Sequence, residues 1–307
     1  MFVENVIPAL HGLLEQGHRA ALVTLLHIDG SSPRPQGSQL GVAGNGKSVG
    51  MITGGCAEKA VIAEALQCLQ NGENKIVRYG VGSPYLDVVL PCGSGIDLFI
   101  ETRNSVQLIR EACVRQQQRK PFWMAFDRSA LSSRLLDTPE SALKIEIVNR
   151  YEPDYRLIVF GEGANLISFC ALGQASGFTV SAYSPDQDSI DTLLEDGIDG
   201  HRIHRRSEFS SLAIDEYTAI ITLFHEHEWE SDILHAALNS DADYIGALGS
   251  QATHSNRLQA LATLGATKRS SDCIHGPIGL DIGATNPNEI AVSVLAEITA
   301  HRRGKIR

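Results

Sequence analysis

Apolar and polar positions in the first half of the chain repeat with two different periods. Residues 2–17 carry apolar side chains three and four positions apart, which predicts an amphipathic helix ending at Gly17. Residues 20–28 are apolar and partly β-branched, which predicts a strand. The same criteria predict further helices at residues 56–70 and 104–118, and further strands at residues 39–43, 47–52, 75–79, 87–90, 96–101, 122–127 and 143–148.

The pattern changes after residues 151–154, a polar segment that contains a proline. From there, strands and helices alternate along the chain. The predicted strands are residues 156–160, 178–183, 217–224 and 244–248, and the predicted helices are residues 164–175, 187–196, 229–239, 252–264 and 287–302. Such alternation is typical of a parallel sheet with helices on both faces.

The predicted fold is therefore α/β with two domains. Residues 1–150 are expected to form an N-terminal mixed α/β domain, and residues 151–307 a C-terminal Rossmann-like domain with a doubly wound parallel sheet. The length of 307 residues, about twice that of a typical domain, agrees with this division.

Composition and charge exclude several classes of protein. Hydrophobic residues make up 43% of the chain and charged residues 20%, which excludes a disordered protein. Residues 151–307 hold 22 acidic and 11 basic side chains, which argues against nucleic-acid binding. No apolar run approaches the ~20 residues needed to span a membrane, and no basic segment precedes an apolar stretch at the N-terminus. We therefore expect a cytoplasmic protein without a membrane partner.

The six cysteines show no metal-binding or redox spacing. In a reducing compartment we expect no disulfides, so the cysteines are either buried apolar residues or special thiols. Cys56 lies within residues 53–58 (TGGCAE), at the start of a predicted helix. Glycines let a ligand approach the backbone, and the amides of a first helical turn favour anions and lower the pKa of a thiol. Cys56 is therefore either a reactive or ligand-holding thiol, or a buried residue after a glycine turn.

Two other stretches in the first half carry candidate chemistry. Residues 91–95 (PCGSG) predict a tight turn, and Cys92 would form a two-thiol pocket with Cys56 if the fold brought them together. The alternative is an ordinary turn. Residues 31–34 (SSPR) supply hydroxyls, amides and a guanidinium, which suit a phosphate or another oxyanion, whereas the alternative is a solvated surface loop.

In the second half, residues 161–166 (GEGANL) follow a predicted strand and open a helix, as a dinucleotide-binding turn does. Leu166 replaces the third glycine of that fingerprint, and Asp186 lies two positions later than the expected ribose-binding acid. Whether Gly161 and Gly163 hold NAD(P) is therefore left open.

Other candidates follow later strands of the predicted parallel sheet. His225 comes directly after one strand, at the edge where such sheets bind ligands, and His227 need not face the same side, so a shared metal ion is not expected. Gly249 and Ser250 mark another strand-to-helix edge. Asp281 lies in a glycine-rich stretch whose backbone approaches a ligand or a second chain, and it either binds a ligand or stabilises its loop.

In their order along the chain, these motifs resemble the XdhC/CoxI family over nearly the whole length. The matching stretches are residues 30–34 (GSSPR), 54–58 (GGCAE), 90–93 (LPCG), 244–250 (YIGALGS), 277–283 (PIGLDIG) and 288–298 (NEIAVSVLAEI). The resemblance implies an XdhC/CoxI-like N-terminal domain followed by a Rossmann domain.

The resemblance also implies a function. Members of this family are accessory factors of xanthine dehydrogenase and related molybdenum hydroxylases. They bind molybdenum cofactor (molybdopterin), protect it during its sulfuration and help insert it into the apo-enzyme. The implied partners are the apo molybdenum hydroxylase and a cysteine desulfurase, and a homodimer is also implied. The chain itself is not expected to oxidise xanthine.

The resemblance implies roles for particular residues. Cys56 and Cys92 become the cofactor-handling thiols, because a soft thiolate suits molybdenum or transferable sulfur. Residues 31–34 become the site of the pterin phosphate. The full set of candidate cofactor-binding residues is Ser31, Ser32, Arg34, Gly54, Gly55, Cys56, Glu58, Cys92, Gly93, Gly161, Gly163, His225, Gly249, Ser250 and Asp281.

Two alternative functions stay open from the sequence. One is an NAD(P)-dependent oxidoreductase that works at the Rossmann edge, which Leu166 and Asp186 oppose. The other is a docking scaffold that binds no cofactor.

Overall fold

The computed structural model describes residues 5–55, 57–84, 94–141, 147–205, 209, 212–224, 229–267 and 272–306. The chain divides into two compact units, Met1–Pro153 and Asp154–Arg307. The domain limits predicted from the sequence, 1–150 and 151–307, stay a prediction, because compactness does not show that either unit folds by itself.

The first unit contains two antiparallel sheets in its described part. The larger sheet has the strand order β3-β2-β1-β5-β4, formed by β1 (Ala20–Asp29), β2 (Gln39–Ala43), β3 (Ser48–Gly50), β4 (Lys75–Gly80) and β5 (Gly95–Glu101). The smaller sheet has the order β7-β6-β8, formed by β6 (Phe122–Asp127), β7 (Ser132–Leu136) and β8 (Ile147–Tyr151). The central strands β1 and β5 are buried on both faces along most of their length, because the large sheet is covered on both sides.

Helices cover the large sheet. They are α1 (Ile7–Glu15), α2 (Glu58–Asn71) and α3 (Ser105–Gln117). On one face, Val61 and Ala65 of α2 belong to the same apolar cluster as Val23 of β1. On the other face, α1, α3 and the small sheet share a cluster with Leu22 and Phe99. The first unit is therefore a layered mixed α/β structure.

The second unit is a six-stranded parallel sheet in its described part. The strand order is β11-β10-β9-β12-β13-β14, with bounds Arg156–Gly161 (β9), Thr179–Ser184 (β10), Asp199–Arg202 (β11), Thr218–Leu223 (β12), Tyr244–Ala247 (β13) and Ile274–His275 (β14). This is the 3-2-1-4-5-6 order of a Rossmann fold. The predicted α/β class and the Rossmann-like second domain are confirmed.

Helices pack on both faces of this parallel sheet. They are α4 (Gly163–Ala175), α5 (Gln187–Glu195), α6 (Glu230–Leu238), α7 (Gln251–Thr263) and α8 (Pro287–Arg302). Side chains of α4, α5 and α8 pack in one core with Val159 of β9. Side chains of α6 and α7 pack in the opposite core with Ile158. Within the described residues, no helix has the length and apolar character needed to cross a membrane.

The sequence pattern did not predict three strands, β7, β11 and β14. β11 reads Asp-Gly-His-Arg, and three of its four residues are exposed, because the strand lies at the sheet edge. β7 begins Ser-Ser-Arg and is also an edge strand, and β14 has only two residues. Such strands lack the alternation that a buried face imposes. The strand predicted at residues 87–90 lies outside the described residues.

Candidate functional site

Three motifs of the first unit come together at one end of its large sheet. A Cβ atom built on Gly54 would lie 3.2 Å from Pro33 Cγ, and one built on Gly30 would lie 3.5 Å from Ser94 Cβ. The first pair joins the loop after β1 to the loop before α2. The second pair joins the same loop after β1 to Ser94, the residue that precedes β5. We call this set the three-loop rim, comprising Gly30–Arg34, Thr53–Gly55 with Glu58, and Ser94.

Glu58 organises the loop that precedes α2. Its Oε1 accepts hydrogen bonds from the backbone amides of Ile52 (3.2 Å) and Thr53 (2.7 Å), and its Oε2 accepts one from the amide of Gly55 (2.8 Å) and another from Thr53 Oγ1. Thr53 Oγ1 in turn accepts from the amide of Ala57 (2.8 Å). Gly54 and Gly55 have φ of +72° and +104°, so glycine is favoured at both positions.

These contacts make Glu58 a loop-shaping carboxylate. Burial raises its pKa, but the hydrogen bonds from Thr53, its own backbone and Ile52 outweigh burial and hold the pKa of Glu58 below its ordinary value. The side chain is therefore ionised at neutral pH. Since the amide of Gly55 already donates to Glu58, that amide is not free for an anion. The predicted contact between Glu58 and a cofactor stays a prediction.

The loop after β1 is anchored at its base and open at its tip. Gln36 Nε2 donates to the carbonyl of Leu26 (2.6 Å), and the amide of Gly37 donates to the carbonyl of Leu25 (2.8 Å). At the tip, the Arg34 amide donates to Ser32 Oγ (3.2 Å). Ser31 is exposed, whereas Ser32 and Arg34 are half-buried and the Arg34 Nε atom is shielded from solvent.

Of the four cysteines that the structure describes, three are buried and Cys273 is exposed. Cys68, Cys113 and Cys170 are buried in the apolar cores, and burial raises the pKa of Cys68 to about 11 and of Cys170 to about 12. The pKa of Cys113 is raised for the same reason. These thiols stay protonated at neutral pH and are unsuited to hold a ligand. The predicted site residues Cys56, Cys92, Gly93 and His225 lie outside the described residues.

In the dinucleotide-type turn of the second unit, the backbone amide of Gly163 already has a hydrogen-bond partner within the same unit. The Gly163 amide donates to Ser189 Oγ (2.8 Å), and Ser189 Oγ donates to Asp186 Oδ2 (2.5 Å). Asp186 also caps α5 by accepting from the Ser189 amide (3.0 Å), and these bonds lower its pKa. A Cβ on Gly161 would lie 2.9 Å from Leu223 Cβ, so this glycine permits close packing of β9 and β12. Leu166 is fully buried. Ser189 therefore occupies the Gly163 amide that a dinucleotide phosphate would use, and whether Gly161 and Gly163 hold NAD(P) stays a prediction.

The remaining candidates lie near the ends of β13 and β14. Ser250 caps α7 by accepting from the Thr253 amide (3.1 Å), and Gly249 packs against Thr253. Asp281 is exposed, next to a segment that Ser293 holds by donating to the carbonyl of Leu280 (2.6 Å). The role of Gly249, Ser250 and Asp281 in ligand binding stays a prediction. Among the described residues, no three His, Cys, Asp or Glu side chains converge on a possible metal site.

Sequence reasoning missed a buried ion pair at this edge. Arg257 Nε donates to Glu230 Oε2 (2.9 Å), and Arg257 Nη2 donates to the carbonyl of Leu248 (2.6 Å). Thr222 Oγ1 donates to Glu230 Oε1 (2.8 Å), and Arg257 Nη1 donates to His254 Nδ1 (3.1 Å). Both charged side chains are 1% exposed. The sequence offers no signal for this pair, because each residue occupies an ordinary polar position of a helix.

Comparisons with known proteins identify similar chains. The model of the XdhC and CoxI family matches residues 13–80, and that of the XdhC Rossmann domain matches residues 157–298. The molybdenum cofactor insertion chaperone PaoD of Escherichia coli is 34% identical, over 94% of this chain and 85% of PaoD. A Bacillus subtilis protein named as a probable xanthine dehydrogenase subunit is 24% identical, over 97% of this chain and 98% of its own length.

A solved structure shares the fold. The crystal structure of a xanthine dehydrogenase from Bacillus halodurans superposes with a TM-score of 0.76 and covers 98% of this chain and 96% of that chain, at 21% identity.

Proposed function

Because the chain belongs to the XdhC and CoxI family, we propose that it is an accessory protein that binds molybdenum cofactor and helps insert it into a xanthine dehydrogenase-type molybdenum hydroxylase. The cofactor is cargo in this proposal. The observation that supports it most is the three-loop rim, where motifs far apart in the sequence meet at one end of a sheet. The similarity to a protein named as a molybdenum cofactor insertion chaperone supports the class of cargo.

The proposal gives the residues of the rim distinct roles. Ser31, Ser32 and Arg34 bind the pterin phosphate, since hydroxyls and a guanidinium form short, charge-assisted hydrogen bonds with phosphate oxygens. Cys56 and Cys92 handle molybdenum or its sulfur as thiolates, since soft sulfur ligands suit both. The three described core cysteines have raised pKa values and are inaccessible, which leaves them out of this role.

The finer parts of the proposal concern partners. A cysteine desulfurase supplies sulfur to the bound cofactor, and the apo molybdenum hydroxylase then receives it. The protein acts in the cytoplasm, where cysteines stay reduced. It acts as a homodimer, in which the glycine-rich segment around Asp281 faces the second chain.

Retention of the cofactor tests the proposal. Molybdenum cofactor released anaerobically from a purified molybdenum enzyme is mixed with the protein, and pterin fluorescence is measured after gel filtration. We expect the wild type to retain pterin and Cys56→Ala or Cys92→Ala to weaken binding by about tenfold or more, or about 1.4 kcal/mol. Cys68→Ala is the matched control, because its thiol is buried and protonated, and its binding stays within about twofold of wild type.

Two results contradict parts of this proposal. If no form of the protein retains pterin, cofactor binding is wrong and the docking-scaffold alternative gains weight. If the wild type and both variants bind equally, the cargo is right and the thiols are not its ligands. A saturable fluorescence titration with NADH or NADPH would instead favour the oxidoreductase alternative.

A further inference from the structure

Arg78 of β4 joins three segments at the end of the large sheet. Its Nη2 donates to a carboxylate oxygen of Asp29, and its Nη1 donates to Asp97 Oδ1 (2.9 Å). Its Nε donates to the carbonyl of Val81 (2.9 Å). Asp29 is the last residue of β1, Asp97 belongs to β5, and Val81 follows β4. One planar guanidinium thus holds the ends of three strands.

The place of these contacts matters more than their number. Asp29 directly precedes the loop at residues 30–34, and it pairs with Gly95, which directly follows Ser94. Arg78 therefore contacts the last residue of β1, Asp29, after which the loop at residues 30–34 begins. It also lies beside Gly95, where the chain passes from Ser94 into β5.

Gly95 provides the room for this arrangement. A Cβ atom on Gly95 would lie 2.6 Å from Arg78 Nη2 and 2.7 Å from the carbonyl oxygen of Val81. The guanidinium therefore lies directly over the backbone of Gly95. A lysine at position 78 would carry one point charge and lack the planar set of donors that reaches all three acceptors.

The two carboxylates around Arg78 are further fixed by other side chains. Asp97 Oδ2 accepts from Arg128 Nη2 (2.7 Å), and the Asp97 side chain is 8% exposed. His27 Nε2 lies 2.9 Å from Asp29 Oδ1. The pairing of β1, β4 and β5 ends at Asp29, Gly80 and Gly95, and one backbone hydrogen bond, from the Val81 amide to the Ser94 carbonyl (3.0 Å), lies beyond it. The charged cluster therefore acts together with that bond where the chain leaves the sheet, and on the side of Asp29 it acts at the start of the loop at residues 30–34.

We propose that Arg78 is a positioning residue for the three-loop rim: it holds the loop at residues 30–34 and the backbone at residues 94–95 in the geometry that binds an anionic cofactor. This inference rests on the proposed function for the binding itself, since the side chain of Arg78 bonds to Asp29, Asp97 and Val81, which flank the rim. It assigns to Arg78, Asp29 and Asp97 a role that the sequence motifs do not include.

The test compares Arg78→Met and Arg78→Lys with Arg115→Met. Arg115 is a matched control, because its side chain is 23% exposed against 27% for Arg78 and it also bridges two carboxylates, Glu111 (3.1 Å) and Asp137 (2.6 Å), on α3 and after β7. Two properties are measured in the full chain: amide hydrogen exchange of residues 30–34 and 94–95, apart from Pro33, which has no amide hydrogen, and anaerobic binding of molybdenum cofactor.

We expect Arg78→Met to speed exchange in residues 30–34 and 94–95 by about tenfold and to weaken cofactor binding by about tenfold, with Arg78→Lys between it and the wild type. Arg115→Met is expected to leave both properties within about twofold of wild type, even if it lowers the thermal unfolding temperature as much as Arg78→Met does.

Each other outcome is decisive. Unchanged exchange in Arg78→Met overturns the positioning role. Faster exchange with unchanged binding shows that the loop geometry is not needed, and this also overturns the inference while the proposed function stands. Failure of the wild type itself to bind the cofactor overturns the proposed function and removes the basis of the inference with it.

Discussion

Replacing Arg257 with methionine is expected to lower the free energy of unfolding by about 3–5 kcal/mol. The change leaves the carboxylate of Glu230 buried without its cationic partner, since both side chains are 1% exposed. It also removes the donor that satisfies the carbonyl of Leu248. An unpaired buried charge costs far more than a lost surface pair, because little water reaches it. Urea unfolding of the full chain, followed by far-UV circular dichroism, measures the change.

Two further variants test this prediction. Arg110→Met removes an exposed pair with Glu15 (3.6 Å), and we expect a change of at most about 1 kcal/mol. The double variant Glu230→Leu with Arg257→Met removes both charges, and it should recover a large part of the lost stability. The prediction is wrong if Arg257→Met and Arg110→Met destabilise the protein equally. It is also wrong if the destabilisation of the double variant equals the sum of the destabilisations of Glu230→Leu and Arg257→Met.

The sequence predicted the second unit well because its sheet is buried on both faces. Strands such as residues 156–160 and helices such as 164–175 agree with the structure to within one residue, and their alternation was enough to predict a doubly wound fold. The edge strand β11 escaped because its exposed residues carry no apolar alternation. Local pattern thus reveals an element only where one of its faces is buried.

The candidate site was only partly predictable. Glycines 30 and 54 and Ser94 stood out as motif residues, but their meeting depends on the antiparallel strand order β2-β1-β5-β4, which local periodicity does not encode. Arg78 and Asp97 were missed for a related reason. Each is a single charge within a strand, and only the pairing of β4 with β5 shows that they face one another. Long-range pairing is the information that the motifs lacked.

Replacing Glu58 with glutamine is expected to loosen the loop before α2 and to weaken cofactor retention. Glutamine keeps one acceptor oxygen but turns its NH2 group toward the donors of the other, either the amides of Ile52 and Thr53 at Oε1 or the Gly55 amide and the Thr53 hydroxyl at Oε2. Because the side chain is partly solvent-exposed, we expect a loss of about 1–2 kcal/mol in the free energy of unfolding at pH 7. Urea unfolding measures this loss, and Glu111→Gln, on an exposed part of α3, is the control.

The pH dependence of stability separates the charge of Glu58 from its shape. The folded pKa of Glu58 lies below its ordinary value of 4.5, so its contribution is fully present above pH 4.5 and is lost as the pH falls through the folded pKa. The difference in stability between wild type and Glu58→Gln should therefore be constant from pH 7 to about pH 5 and shrink on further acidification. A difference that does not change with pH would mean that the hydrogen-bond geometry alone matters. The companion variant Thr53→Val removes the hydroxyl that bonds to Glu58. If the shape of the loop controls binding, Thr53→Val should weaken cofactor retention as Glu58→Gln does.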